Sequence, residues 1–135
     1  MEALGRLFNI TPTADGVFVN CQHARGVTFV CVGADTYTVQ SSATAAGGSD
    51  LDVVTHWYEN ANANGSTAWT KHADQVADAA VVTTAAAAVI HVDTASLPDG
   101  HKYVKCTSTS TGLVYAVAHD LMVQRTPANL PALGV

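Results

Sequence analysis

The sequence predicts an all-β domain, either an antiparallel β-sandwich or a small β-barrel with extended termini. Short runs rich in Val and Thr alternate apolar and polar side chains, as half-buried strands do. Turn residues such as Gly, Pro, Asn and Asp separate these runs about every eight to twelve residues. Aromatic residues make up only 7% of the chain, so we expect a thin core built mainly from Ala and Val.

The length of 135 residues is sufficient for one domain with its own core, and we expect no second domain. We divide the chain into an N-terminal arm or edge strand (residues 1–14), a β-sandwich domain (residues 15–125) and an extended C-terminal tail (residues 126–135). The tail contains two prolines, so it cannot continue a central strand.

The clearest local pattern lies at residues 88–107. The run at residues 89–93 and the run at residues 103–107 both alternate apolar and polar side chains. The Pro-Asp-Gly sequence at residues 98–100 predicts a turn, because Pro suits its first inner position and Gly accepts a positive φ. We interpret this stretch as a β-hairpin.

The other segments are assigned from the same patterns. Residues 27–32 are apolar on both faces, as in a central strand that is covered on both sides. Residues 51–58 are ambiguous between a strand and a helical turn. Residues 73–88 favour a strand and loop over a helix, because their Val and Thr side chains resist helix formation. Further strands are predicted at residues 17–21, 37–42, 66–71 and 113–123.

Charge and hydropathy exclude two classes of partner. The net charge is −5 and the six Lys and Arg residues are scattered, so we expect no nucleic-acid binding. No window approaches the roughly 18 apolar residues of a membrane span, and the N-terminus lacks a signal pattern, so we expect a soluble protein made in the cytoplasm. Cys21, Cys31 and Cys106 lie in apolar runs and are interpreted as small buried hydrophobic residues without disulfides.

The sequence contains no recognisable catalytic or metal-binding motif. There is no Gly-x-Ser-x-Gly elbow, no cysteine in surroundings that would lower its pKa, and no acidic pair suited to glycoside hydrolysis. The six histidines form no HxH or HxxxH pair. We therefore predict a protein that is not an enzyme and has no metal site or cofactor.

Two pairs of neighbouring polar residues have two possible interpretations. His91 with Asp93, and His119 with Asp120, could be pH-responsive groups at a contact between chains. The simpler interpretation is that each pair lies on the solvent face of its strand.

Three aromatic residues flank an Asn-rich loop. Trp57, Tyr58 and Trp69 could form a platform for a sugar ring, or they could close one end of a thin sandwich core.

Three segments resemble small structural proteins of tailed bacteriophages. They are Gly-Val-Thr-Phe-Val at residues 26–30, Tyr-Thr-Val-Gln-Ser-Ser-Ala-Thr at residues 37–44, and the Val-Ile-His-Val-Asp to Tyr-Val stretch at residues 89–104. Those relatives carry a "VtFvv" strand, a "TVQ.A" strand and a "V.Vda..Lp.G..YV" motif. The similarity covers roughly residues 16–107, and the matching residues are structural.

The resemblance implies a component of the virion, of the capsid decoration (cement) type. Such proteins bind the major capsid protein on the outside of the expanded head, frequently as homotrimers, and stabilise it. The family motif contains no catalytic residue and implies no cofactor. Alternatives are a head-tail neck or tail accessory protein, and a carbohydrate-binding β-sandwich module that uses the three aromatic residues.

The two terminal segments are the predicted contact regions. They hold large apolar residues that a small domain has difficulty covering, so we expect them to reach the shell or a sister subunit. The candidate contact residues are Leu4, Leu7, Phe8, Ile10, Leu130, Leu133 and Val135.

Overall fold

The computed structural model describes residues 3–50, 54, 56–73 and 80–130. In this part of the chain, strands alternate with turns, and the helical structure consists of two short 3₁₀ turns, Thr94–Ser96 and Pro127–Asn129. The strands are β1 (Phe8–Thr11), β2 (Val19–Asn20), β3 (Ala24–Val32), β4 (Asp35–Ser42), β5 (Ser49–Asp50), β6 (His56–Asn60), β7 (Thr70–Ala73), β8 (Ala80–Thr83), β9 (Ala87–Asp93), β10 (Tyr103–Ser108) and β11 (Leu113–Leu121).

The strands form two antiparallel sheets, which confirms the predicted all-β sandwich. The six-stranded sheet has the order β1-β11-β3-β9-β6-β7. The five-stranded sheet has the order β2-β10-β4-β5, and β8 pairs with β4 beside β5. Among the described strands there is no closed barrel.

The core lies between the two sheets and is built mainly from Val, Ala and Cys, with Phe29, Tyr37 and Trp57 as its aromatic members. Alternation along β3 directs Val27, Phe29 and Cys31 inward, where they are fully buried. Cys31 of the six-stranded sheet lies opposite Cys106 of the five-stranded sheet, with 4.0 Å between the two Sγ atoms. The two sheets are therefore in contact through small side chains at this point.

The three cysteines are buried and free, as predicted. Burial raises the pKa of the Cys21 thiol to about 11. The hydrogen bond with Cys106, together with burial, raises the pKa of the Cys31 thiol as well. Both groups stay protonated at neutral pH, so they pack as apolar groups.

The predicted hairpin over residues 88–107 is wrong, although its turn is present. His101 N donates to Pro98 O at 3.0 Å, and Gly100 has a φ of 80°. However, β9 pairs with β3 and β6, whereas β10 pairs with β2 and β4 in the other sheet. Thr94 Oγ1 donates to Ala24 O at 2.9 Å, which anchors the start of the connector to the first sheet. A long connector between two half-buried strands permits an arch across the core as well as a hairpin.

Three other predicted strands are confirmed as β3, β4 and β11. The strand predicted at residues 17–21 is shorter, and the one predicted at residues 66–71 begins only at Thr70.

The segments at residues 51–58 and 73–88 both contain strands, although Val54 and residues 84–86 lie outside them. Residues 56–58 belong to β6, and residues 80–83 and 87–88 belong to β8 and β9. Residues 51–53, 55 and 74–79 lie outside the described residues.

The N-terminal segment contains an edge strand. β1 pairs with β11, so that Phe8 lies opposite His119 and Ile10 lies opposite Val117. Arg125 N donates to Gly5 O at 2.8 Å, which brings the two terminal segments together.

Asp35 connects the two sheets at one end of the sandwich. Its carboxylate accepts hydrogen bonds from Thr109 Oγ1 at 2.7 Å, Ser110 N at 3.1 Å and Gly112 N at 2.9 Å. These donors lie in the turn where the chain passes from β10 in one sheet to β11 in the other. The Thr109 hydroxyl and the Gly112 amide lower the pKa of the Asp35 carboxyl to about 2.

We expect Asp35→Asn to lower the free energy of unfolding at pH 7 by on the order of 2 kcal/mol, because it replaces a charged acceptor with an amide. Urea unfolding measures this change, and Asp99→Asn, at an exposed turn position, is the matched control. The Asp35 pKa is lowered by folding, so its stabilisation is present above pH 3.8 and is lost as the pH falls towards 2. Equal unfolding midpoints for the two variants at pH 7 would contradict this role.

Candidate functional site

The side of the six-stranded sheet that points away from the core is largely apolar. Pairing places Tyr115, Val30 and Val89 side by side on β11, β3 and β9, with Tyr58 next on β6. Directly paired residues of antiparallel strands share one face of the sheet. We call this surface the outer face, and its apolar members are Phe8, Ile10, Val30, Val32, Tyr58, Val89, Leu113, Tyr115 and Val117.

The outer face is only partly covered. On β3, Val30 and Val32 are half-buried, in contrast to the fully buried Val27 on the inner face. Towards the edge of the sheet, Ile10 is 42% exposed and Leu113 is 55% exposed. A sheet with one face in water normally carries polar side chains there. The sequence predicts that residues 27–32 are covered on both sides. Within this chain, only the inner side is fully covered.

One end of the outer face carries a group of polar side chains on three neighbouring strands. The rings of His91 and His119 stack with their centroids 5.2 Å apart and 25° between their planes. Both rings lie over Gly26 of the intervening strand, where a Cβ atom would come within 2.6 Å of His91 Cε1 and 2.8 Å of His119 Cε1. The missing side chain at Gly26 therefore makes room for the stacked pair.

A single hydroxyl group joins the two rings. Thr28 Oγ1 lies 3.2 Å from His91 Nδ1 and 3.1 Å from His119 Nε2. On its other side, His119 Nδ1 donates to Asp120 Oδ2 at 2.7 Å. This bond leaves Nε2 of a neutral His119 as an acceptor, so Thr28 donates to His119 and accepts from His91 Nδ1. We call Thr28, His91, His119 and Asp120 the histidine network.

The connectivity of Thr28, His119 and Asp120 matches that of a Ser-His-Asp triad, but the surroundings do not support nucleophilic catalysis. The Thr28 hydroxyl is already engaged by His91 on its other side. β3 pairs with β9 on one side and β11 on the other, so its backbone amides serve the sheet and form no oxyanion hole beside Thr28. The Thr28 hydroxyl is a bridge between two rings.

Burial and neighbouring charges set the protonation of His91. Burial lowers the pKa of His91, and the nearby imidazole of His119 lowers it further. The Asp93 carboxylate partly opposes this shift. His91 is therefore neutral at pH 7, and the outer face carries no charge at this ring.

The sequence indicates two separate His and Asp pairs, and the structure joins members of both. His91 and His119 belong to β9 and β11, which lie on either side of β3. The signal in the sequence is a small residue and a hydroxyl residue, Gly26 and Thr28, at alternate positions of a strand between two histidine-bearing strands. This signal identifies the site only when the order of the strands in the sheet is known, and local sequence patterns do not give that order.

The predicted contact residues of the N-terminus divide into two groups. Phe8 and Ile10 belong to the outer face, next to β11. Leu4 forms an isolated bridge with Phe8, and Leu7 is exposed.

At the C-terminus, Leu130 lines a cavity of about 290 Å³ together with Leu121 and Arg125. Leu133 and Val135 lie outside the described residues.

The three predicted aromatic residues do not share one surface. Trp57 is 3% exposed, faces the core side and stacks on His72, with 4.2 Å between ring centroids. Tyr58 points to the outer face and contacts the His56 ring edge-on at 5.5 Å. Trp69 is 46% exposed. The burial of Trp57 contradicts a platform of three rings and agrees with its role in the core.

Sequence reasoning missed a second polar cluster, which connects the two sheets near Trp57. Glu59 Oε2 accepts from Thr83 Oγ1 at 2.8 Å, and Glu59 Oε1 lies 2.9 Å from His72 Nε2. The Thr83 hydroxyl, followed by His72, lowers the pKa of the Glu59 carboxyl. The three residues come from β6, β7 and β8, and the cluster is a structural cross-link.

Comparison with known proteins does not identify a family. The chain matches no protein-family model, no curated protein and no solved structure. The described residues contain no group of three or more His, Cys, Asp or Glu side chains that could hold a metal ion. Within the same residues, no helix is long and apolar enough to cross a membrane.

We expect Gly26→Ala to separate the stacked rings while leaving the fold intact. The new methyl group meets the ends of two side chains, which can rotate away, so the change in unfolding free energy is less than about 1 kcal/mol. Nitrogen-15 spectra of the histidine side chains report the loss of the Thr28 hydrogen bonds. Unchanged histidine spectra in the folded variant would show that the rings do not occupy the space above Gly26.

Proposed function

We propose that this chain is a non-enzymatic structural protein of a bacteriophage particle. In this proposal it binds the major capsid protein on the outer surface of the expanded head and stabilises the shell as a decoration (cement) protein. The phage-like segments at residues 26–30, 37–44 and 89–104 supply the virion context. They correspond to parts of β3, β4, and β9 through β10, which together build both sheets.

The observation that carries the proposal is the apolar outer face. It extends across β1, β11, β3, β9 and β6, and its edge includes two of the predicted contact residues, Phe8 and Ile10. Removal of apolar surface from water contributes roughly 25 cal/mol per Å². A flat apolar surface of this kind suits attachment to a shell, where many copies add weak contacts.

The proposed assembly is a homotrimer on the capsid exterior. The net charge of −5 and the scattered basic residues argue against contact with the packaged genome. Self-association would cover parts of the molecule that the shell does not reach, such as the exposed Leu7 near the N-terminus.

Two alternatives remain as second candidates. A head-tail neck or tail accessory protein has the same surface requirements and differs in its copy number on the particle. A carbohydrate-binding module is supported by the exposed Trp69 beside a polar loop, and the burial of Trp57 weakens it.

Binding to expanded heads that lack the protein tests the proposal. We expect saturable co-sedimentation at hundreds of copies per particle. Leu113→Lys places a charge on the outer face and should reduce binding at least about tenfold, since burial of an unpaired charge is costly. Val82→Lys is the control, because Val82 is 61% exposed on the other sheet.

A dozen or fewer copies per particle would favour the neck or tail alternative. No binding by the folded wild-type chain would contradict the assignment to the virion. Equal binding by the two lysine variants would show that the outer face is not the contact surface.

Trp fluorescence separates the assembly protein from the sugar module. We expect no change on addition of monosaccharides or oligosaccharides, because Trp57 is buried and Trp69 alone offers an accessible indole ring. Saturable quenching that disappears in Trp69→Ala would instead support the carbohydrate-binding alternative.

A further inference from the structure

We propose that the histidine network is a proton-operated switch: its hydrogen bonds suit two neutral rings, and protonation in mild acid adds positive charge to this end of the outer face. The inference stands on two stacked rings that share one hydroxyl group. The expected effect of pH on shell binding rests on the proposed function, since that function makes the outer face the contact surface with the shell.

In the neutral state, one arrangement of hydrogens satisfies the whole network. His91 Nδ1 donates to Thr28 Oγ1, the Thr28 hydroxyl donates to His119 Nε2, and His119 Nδ1 donates to Asp120 Oδ2. The Thr28 hydroxyl both accepts and donates, each of the three ring nitrogens involved has one role, and both rings are uncharged. Two polar rings can therefore lie half-buried beside the apolar part of the outer face.

Protonation disrupts this arrangement. A proton on His119 Nε2 turns that nitrogen into a donor, so the Thr28 oxygen accepts from both rings and the Thr28 hydrogen loses its acceptor in the network. A proton on each ring places two positive charges at a centroid distance of 5.2 Å. Acid therefore favours separation of the rings and rotation of at least one of them out of the stack.

The side chains around the network include both signs of charge. Two carboxylates favour protonation of the rings, and two basic groups oppose it, whereas the edge strand contributes an uncharged ring opposite His119. These neighbours are Asp93 on β9, Asp120 on β11, Arg25 on β3, His56 on β6 and Phe8 on β1. The close like charge of the second histidine distinguishes this site from an isolated surface histidine.

Folding and protonation are linked at His91. Its pKa in the folded chain is lowered from the usual 6.5 by burial first and by His119 second. Between these two pKa values the unfolded chain binds more protons, so the free energy of unfolding falls as the pH drops below about 6.5 and levels off below the folded pKa. Above pH 6.5 this contribution is constant.

The first test is a histidine titration of the isolated chain by nitrogen-15 NMR. We expect His91 to protonate below its usual range in the wild type, and its pKa to rise in His119→Gln, which removes the like charge. His101→Gln is the control, since His101 bonds to Ser41 in the other sheet. An identical His91 titration in wild type and His119→Gln would overturn the switch.

The second test compares shell binding at about pH 7.5 and about pH 5.5, a range in which histidine changes charge. We expect wild-type binding to fall at least tenfold in acid. The ratio between the two pH values should approach one in a chain that carries both His91→Gln and His119→Gln, whatever its affinity at pH 7.5.

The two proposals fail separately. Absence of binding at pH 7.5 contradicts the proposed function, and the titration still decides whether the switch exists. Equal wild-type binding at both pH values, on heads that are intact at both, contradicts the link between the switch and the docking surface.

Discussion

The central strand β3 carries apolar side chains on both of its sides, and this constraint shapes both the fold and the proposed function. On the inner side, Val27 and Phe29 meet the second sheet and are fully buried. On the outer side, Val30 and Val32 remain half-buried among other apolar residues. Because burial of apolar surface is the main favourable term in association, a partner that covers this side would complete a three-layer arrangement of the kind that buries a sheet on both faces.

The polar interactions are arranged around this constraint. Two carboxylates join the sheets at the margins of the core: Asp35 accepts hydrogen bonds from the turn between β10 and β11, and Glu59 accepts one from Thr83 of the other sheet. The outer face has its own polar element in the stacked pair of His91 and His119, made possible by the absence of a side chain at Gly26. The hydrogen bonds within the pair suit neutral rings, and in the proposed assembly this would permit docking at pH 7 and make it sensitive to acid.

The sequence predicts the fold class and most central strands, because alternation and turn residues are local signals. It also predicts the turn at residues 98–100 and the burial of the cysteines. It does not predict that β9 and β10 enter different sheets, since a half-buried strand has the same pattern in a hairpin and in an arch. Local patterns also do not predict the stacking of His91 on His119, because it depends on β3 lying between their strands.

The central claim is that the outer face is covered in the assembled state. Hydroxyl-radical footprinting of the free chain and of the chain bound to phage heads measures this coverage directly. The account predicts that Leu113 and Tyr115 become protected in the particle while Val82, exposed on the other sheet, stays reactive. Equal oxidation of Leu113 and Tyr115 in the free and bound states would contradict it.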